Sequence, residues 1–159
     1  MGISLTNRID NLFQEWYRLG GSVLLAEVDA TVQPRVSEEV LAESTAYCRA
    51  SGRLTWVVLD WFINNIETID EKLLLEKAKT QGDLSVLGLL TDAARQVKPN
   101  FKFEFLVLNC PLNPILEPFF HRVAQSPYAA KLARQDNLEI FRRWNYISNE
   151  LRYLAEAKV

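Results

Sequence analysis

A mainly α-helical single domain, a bundle wrapped around one buried helix, is the fold class that this sequence predicts. Three observations predict it. Residues 53–66, R-L-T-W-V-V-L-D-W-F-I-N-N-I, are apolar around most of a helical girth, stripes at helical spacing lie near both ends, and helix starts recur at Ser37, Asp70 and after Gly82-Asp83. In the central stretch, at ~100° per residue, Leu54, Val58, Trp61 and Phe62 fall together, and Trp56, Leu59, Ile63 and Ile66 cover the adjoining flank. A helix apolar on most sides must be enclosed by its neighbours. Its narrow polar sector, Arg53, Asp60 and Asn64, is a candidate polar core, with Thr55 and Asn65 as isolated exceptions.

The other elements follow in order. Leu5, Ile9, Leu12, Trp16 and Leu19 recur at steps of four and three, predicting a helix over 4–19 that Gly20-Gly21 stops with a left-handed cap. Residues 22–28 lack a decisive period; Leu, Ala and Glu tip them towards helix rather than strand. Gln33-Pro34 is a break. Ser37 with Glu38 and Glu39 predicts a capped helix running through Val40, Leu41, Tyr47 and Cys48. After the central helix, 67–69 reads as a short extended link, Asp70 caps a helix, and a further helix spans 83–97 until Pro99. Phe101, Phe103 and Phe105 alternate with Lys102 and Glu104, which predicts a strand over 101–109. Pro111, Pro114 and Pro118 mark an irregular connection, followed by short helices at 119–123 and from Ser126-Pro127. Ile140, Trp144, Ile147, Leu151 and Leu154 predict a long amphipathic helix from 136 or 137 to about 157.

Composition excludes several classes. Hydrophobic content of 48% and charged content of 24% are ordinary globular values, so disorder is not expected. The net charge of −2 argues against wholesale phosphate binding, although residues 100–159 carry +2 against −4 for 1–99. Cys48 and Cys110 have no metal-ligand spacing and read as small core hydrophobes of a reducing compartment, so the expected location is cytoplasmic. Met1-Gly2 with Thr6 fits a myristoylation pattern only loosely, since an amphipathic helix explains the same residues. The N-terminus turns polar too soon for a signal peptide, and no apolar run reaches the ~20 residues of a membrane span. No nucleotide, hydrolase or metalloprotease motif occurs, so no catalytic residue, metal ligand or cofactor is expected. His121, four residues from Glu117 across Pro118, reads as a surface or cap residue.

Two surfaces and one carboxylate remain as candidates. Opposite the apolar stripe of the last helix, Arg142, Tyr146, Asn149 and Tyr153 align, with Arg143 beside them, a mix of cations and aromatics that suits an acidic partner or nucleic acid. Residues 53–109, in the order helix, short strand, helix, helix, strand, resemble the architecture of a winged helix-turn-helix. That resemblance implies DNA contacts from Ser85, Arg95 and Gln96, with Thr91 and Asp92 on the same groove-facing side and Asp92 repelling phosphate. Asp60 is expected to pair with Arg53 or another basic group, the alternative being a functional carboxylate. The function expected first is a non-enzymatic interaction or regulatory protein acting through helical surfaces on a protein partner or on itself as a homodimer. Trp16 and Trp144 on terminal apolar stripes support it. A winged-helix transcriptional regulator comes second and an enzyme with a carboxylate site third.

Overall fold

The central stretch folds as the pattern requires. In this computed structural model, which describes residues 4–33 and 35–150, α3 (Gly52–Asn65) starts at Ser51, whose Oγ accepts from the Leu54 N–H at 3.1 Å. Leu54, Val58, Leu59 and Phe62 are wholly inaccessible, Ile63 is buried, and Trp56 is half-buried. Thr55 is buried on that helix too, and its hydroxyl donates to the Cys48 carbonyl at 2.8 Å. The chain is mainly helical, and the buried apolar side chains form one cluster.

α1 (Leu5–Arg18) is capped by Ser4 and places Leu12, Phe13 and Trp16 against α3 and α2 (Ser37–Thr45). The Trp16 and Trp61 rings meet at 5.1 Å, and Trp16 Nε1 donates to Ser44 Oγ. The helix ends in a Schellman motif: Gly20, at φ +85°, donates to the Tyr17 carbonyl and Gly21 to that of Trp16. Residues 22–33 are neither helix nor strand, correcting the lean towards helix. Side chains of α1 take the backbone groups a helix would have used: Gln14 bonds Glu27 O and Asp29 N, and Arg18 bonds Asp29 O. Pro34 itself lies outside the described residues. Ser37 does not cap α2; Val36 holds that position, and the acids of the first turn serve elsewhere, Glu38 accepting from the Asp70 N–H at 2.8 Å.

Asp70 caps α4 (Glu71–Gln81) and Asp83 caps α5 (Leu84–Val97), as expected. Neither strand of the winged-helix order at 53–109 forms. Ile66–Thr68 is a 3₁₀ turn, and Lys102 Nζ donates to the Ile66, Glu67 and Ile69 carbonyls at 2.7–3.3 Å. Phe101–Asn109 is a helix, α6, started by Asn100. Its alternating phenylalanines mimic a strand, but Phe103, Leu106 and Cys110 recur at three and four, and that face meets Phe62 with ring centroids 5.1 Å apart.

After α6 the chain passes through an irregular stretch to β1 (Glu117–Pro118), then α7 (His121–Ala124) and α8 (Pro127–Gln135), the last with proline in its first turn. The long final helix is not formed in the described residues. α9 (Glu139–Arg142) stops after one turn, Asn145 turns left-handed at φ 61°, and β2 (Tyr146–Ile147) pairs in parallel with β1. Asparagine tolerates that conformation, and its side-chain amide donates to the Asn113 carbonyl at 2.8 Å. Thus Ile140 and Trp144 are buried from one helical turn and its exit, while Ile147 reaches the core from an extended segment. Leu151 and Leu154 lie outside the described residues.

Trp144 seats on Gly88 of α5. A Cβ there would stand 2.3 Å from the indole and 2.9 Å from Cys110 Cβ. Gly88→Ala is therefore expected to destabilise by about 1–3 kcal/mol, overriding a helix-propensity gain of about 1 kcal/mol. Urea denaturation measures it. Pairing the change with Trp144→Leu is expected to cost less than the two single changes added, and strict additivity would refute the contact.

Candidate functional site

The expected face of Arg142, Tyr146, Asn149, Tyr153 and Arg143 is not brought together, because its helix does not exist beyond Arg142 in the described residues. Arg142 and Asn149 are exposed, and Tyr153 lies outside the described residues. Tyr146 is buried, its hydroxyl 2.6 Å from Ser85 Oγ, and burial pushes its phenol up to about 12. Arg143 is turned inward to Asp92.

The DNA-contact set fares similarly. Ser85 is buried between Asp83 and Tyr146, and Arg95 binds Asp92 at 2.8 Å and Glu104 at 2.7 Å; Gln96 is exposed. Thr91 and Asp92, expected to face a groove, are buried instead. Asp92 is the centre of a polar knot, 2% exposed, accepting from Trp144 Nε1 at 2.8 Å and from Arg143 and Arg95. Burial opposes its ionisation, but those donors outweigh it and hold the carboxyl below its usual range.

Sequence reasoning missed Arg49. From the 3₁₀ turn Cys48–Ala50 it donates to the Phe119 and Pro118 carbonyls, both at 2.9 Å, and to Glu117 Oε1 at 3.0 Å, with its guanidinium 5.0 Å over the Tyr146 ring. It clamps both short strands onto the bundle. Hydrogen bonds from Asn113 and Arg49 hold Glu117 below its ordinary value. His121 is largely exposed; desolvation by its neighbours, then the Arg49 charge, lowers its pKa. Among the described residues no cluster of His, Cys, Asp and Glu is arranged to hold a metal ion. Both thiols are buried and burial pushes each up to about 12, as inert core cysteines require.

The polar sector of α3 is not a core. Arg53 and Asn64 are exposed and Asp60 is half-buried; Asp60 and Arg53 meet Ser22 and Leu24 of the segment after α1. Asp60 has no basic partner among the described residues, contrary to expectation. It accepts from Ser22 Oγ at 3.1 Å and Asn64 Nδ2 at 3.3 Å. Arg53 instead donates to the Leu24 carbonyl at 2.7 Å and lies 4.5 Å over the Phe13 ring. Between them opens a cleft of about 550 Å³ lined by Ser22, Leu24, Arg53, Trp56, Val57 and Asp60.

A second feature is an apolar row on the outside of α6. Phe101 is 72% and Leu108 83% exposed, with half-buried Phe105 between them, and Leu112, Ile115 and Leu116 in the irregular stretch that follows are exposed as well. At ~100° per residue this row lies opposite Phe103, Leu106 and Cys110. The strand reading concealed it, since alternation would have put all three phenylalanines on one side. No helix among the described residues is long and apolar enough to cross a membrane. No family model, curated protein or solved structure matches the chain.

Asp92 supplies a measurable consequence. A carboxyl depressed in the folded state contributes stability that is complete above the unfolded value of about 3.9 and is lost as pH falls through the folded value. Asp92→Asn is expected to cost about 1–3 kcal/mol at pH 7, less than breaking a fully buried pair because both arginines reach solvent. The gap between variant and wild type is expected to narrow below about pH 4. Urea midpoints across that range test both points; a gap that stays constant with pH would show that Asp92 is not an ionised anchor.

Proposed function

We propose that this protein is a non-enzymatic interaction protein that works through a helical surface, with a second copy of the chain as the partner. The observation that carries the reading is the outer row of α6, Phe101, Phe105 and Leu108, continued by Leu112. A helix apolar on opposite faces needs cover on both, and here one face has the core while the other has solvent. Exposed apolar surface of this extent, rich in aromatic anchors, suits an interface. A single row along one helix can lie antiparallel on its own copy about a two-fold axis, so that each protomer offers the other the same residues. The low net charge adds little repulsion between copies.

Sedimentation equilibrium from micromolar to millimolar chain is expected to show a reversible dimer. Leu108→Glu is expected to abolish it while shifting stability by no more than about 0.5 kcal/mol, the ordinary range for an exposed position. A strict monomer at the highest concentration, or a dimer indifferent to Leu108→Glu, would remove the self-association reading.

A further inference from the structure

We infer that the cleft between α3 and residues 22–33 is a binding site for a small organic amine, an ammonium group on an apolar body, with Asp60 as its counter-ion. Asp60 is the anchor. Its carboxylate is steadied by two neutral donors, Ser22 Oγ at 3.1 Å and Asn64 Nδ2 at 3.3 Å, and no lysine, arginine or histidine among the described residues lies within salt-bridge distance of it. Several other half-buried or buried acids are matched by arginine, Glu15 and Glu43 by Arg35, Glu117 by Arg49, Asp92 by Arg95 and Arg143, whereas buried Glu38 and half-buried Asp83 accept backbone N–H groups at helix starts. Arg53 shares the α3 face but is held by the Leu24 carbonyl and the Phe13 ring. Arg53 and Asp60 both line the cleft, and the Asp60 carboxylate has no ion-pair partner there among the described residues.

The walls define the rest of the ligand. Trp56, Val57 and Leu24 are apolar, and Leu24 is 91% exposed although its carbonyl is fixed by Arg53. A volume of about 550 Å³ falls in the range of small-molecule sites. A cation beside an indole gains further from the ring quadrupole. Arg53, two turns or about 10.5 Å along the helix from Asp60, disfavours a second positive charge at the far end, so the fitting cation carries one ammonium. This site is separate from the outer row of α6, so the two proposals stand or fall independently.

Phenethylammonium is the probe, with phenethyl alcohol as its neutral counterpart, titrated into the full chain and followed by the indole N–H resonance of Trp56, assigned with Trp56→Phe. Saturable binding is expected, with the alcohol and the Asp60→Asn variant each about tenfold or more weaker, the worth of one charged hydrogen bond. Leu24→Ser, an exposed change that keeps the carboxylate, is expected to weaken the amine by several-fold, and N-acetyl-lysine amide, a lysine side chain without the aromatic body, is expected to bind more weakly than phenethylammonium. No saturable shift at millimolar amine, equal binding of the alcohol, or undiminished binding by folded Asp60→Asn would overturn the site. N-acetyl-lysine amide binding as tightly as phenethylammonium would overturn the role of the apolar walls.

Discussion

The enclosure of α3 is the constraint on which the other parts depend. Each fully buried aliphatic or aromatic side chain of that helix contributes about 1.5–3 kcal/mol, but only while neighbours keep water from it. α1 supplies Trp16 against Trp61, and α6 supplies Phe103 against Phe62. Polar groups caught in the enclosure are bonded: Trp61 Nε1 donates to the Leu19 carbonyl, and the Thr55 hydroxyl to that of Cys48. The one line left open carries Arg53, Asp60 and Asn64. Ser22 and Leu24, from a segment without regular structure, border that line and leave the cleft beside it.

Arginines do much of the remaining assembly. Arg35 forks onto Glu15 with two bonds of 2.6 Å, joining the segment before α2 to α1. Arg49 gathers the carbonyls and carboxylate of β1, and Arg143 ties the exit of α9 to Asp92 on α5. Planar guanidinium groups suit this because one side chain satisfies several acceptors in fixed directions. Arg95 and Arg143, which look available for phosphate in one dimension, are thereby committed to carboxylates of the protein, while Arg142 stays exposed. The outer side of α6 is by contrast exposed and apolar.

Two segments show how a local pattern can point to the wrong element. The run F-K-F-E-F satisfies a two-residue period, yet Phe103, Leu106 and Cys110 also satisfy a helical one, and only packing against Phe62 decides between them. The outer phenylalanines that made the alternation persuasive are those left exposed. In the C-terminal part, the steps from Ile140 to Trp144 and Ile147 are helical in spacing, but Asn145 turns left-handed because Asn113 accepts its amide, and β1 then captures Tyr146 and Ile147. Both decisions come from residues about thirty or more positions away.

From the sequence alone came the helical class, the dry central helix, the starts at Ser4, Asp70 and Asp83 and the stop at Gly20, because capping and periodicity are set by residues within a turn of one another. It also placed Arg53, Asp60 and Asn64 on one side of α3. Tertiary structure alone decided that Asp60 stands without a basic partner in a cleft, that Asp92 is buried among arginines, and that α6 turns a greasy row outward. Those outcomes depend on which distant surfaces compete for each side chain, and no spacing along the chain encodes that competition.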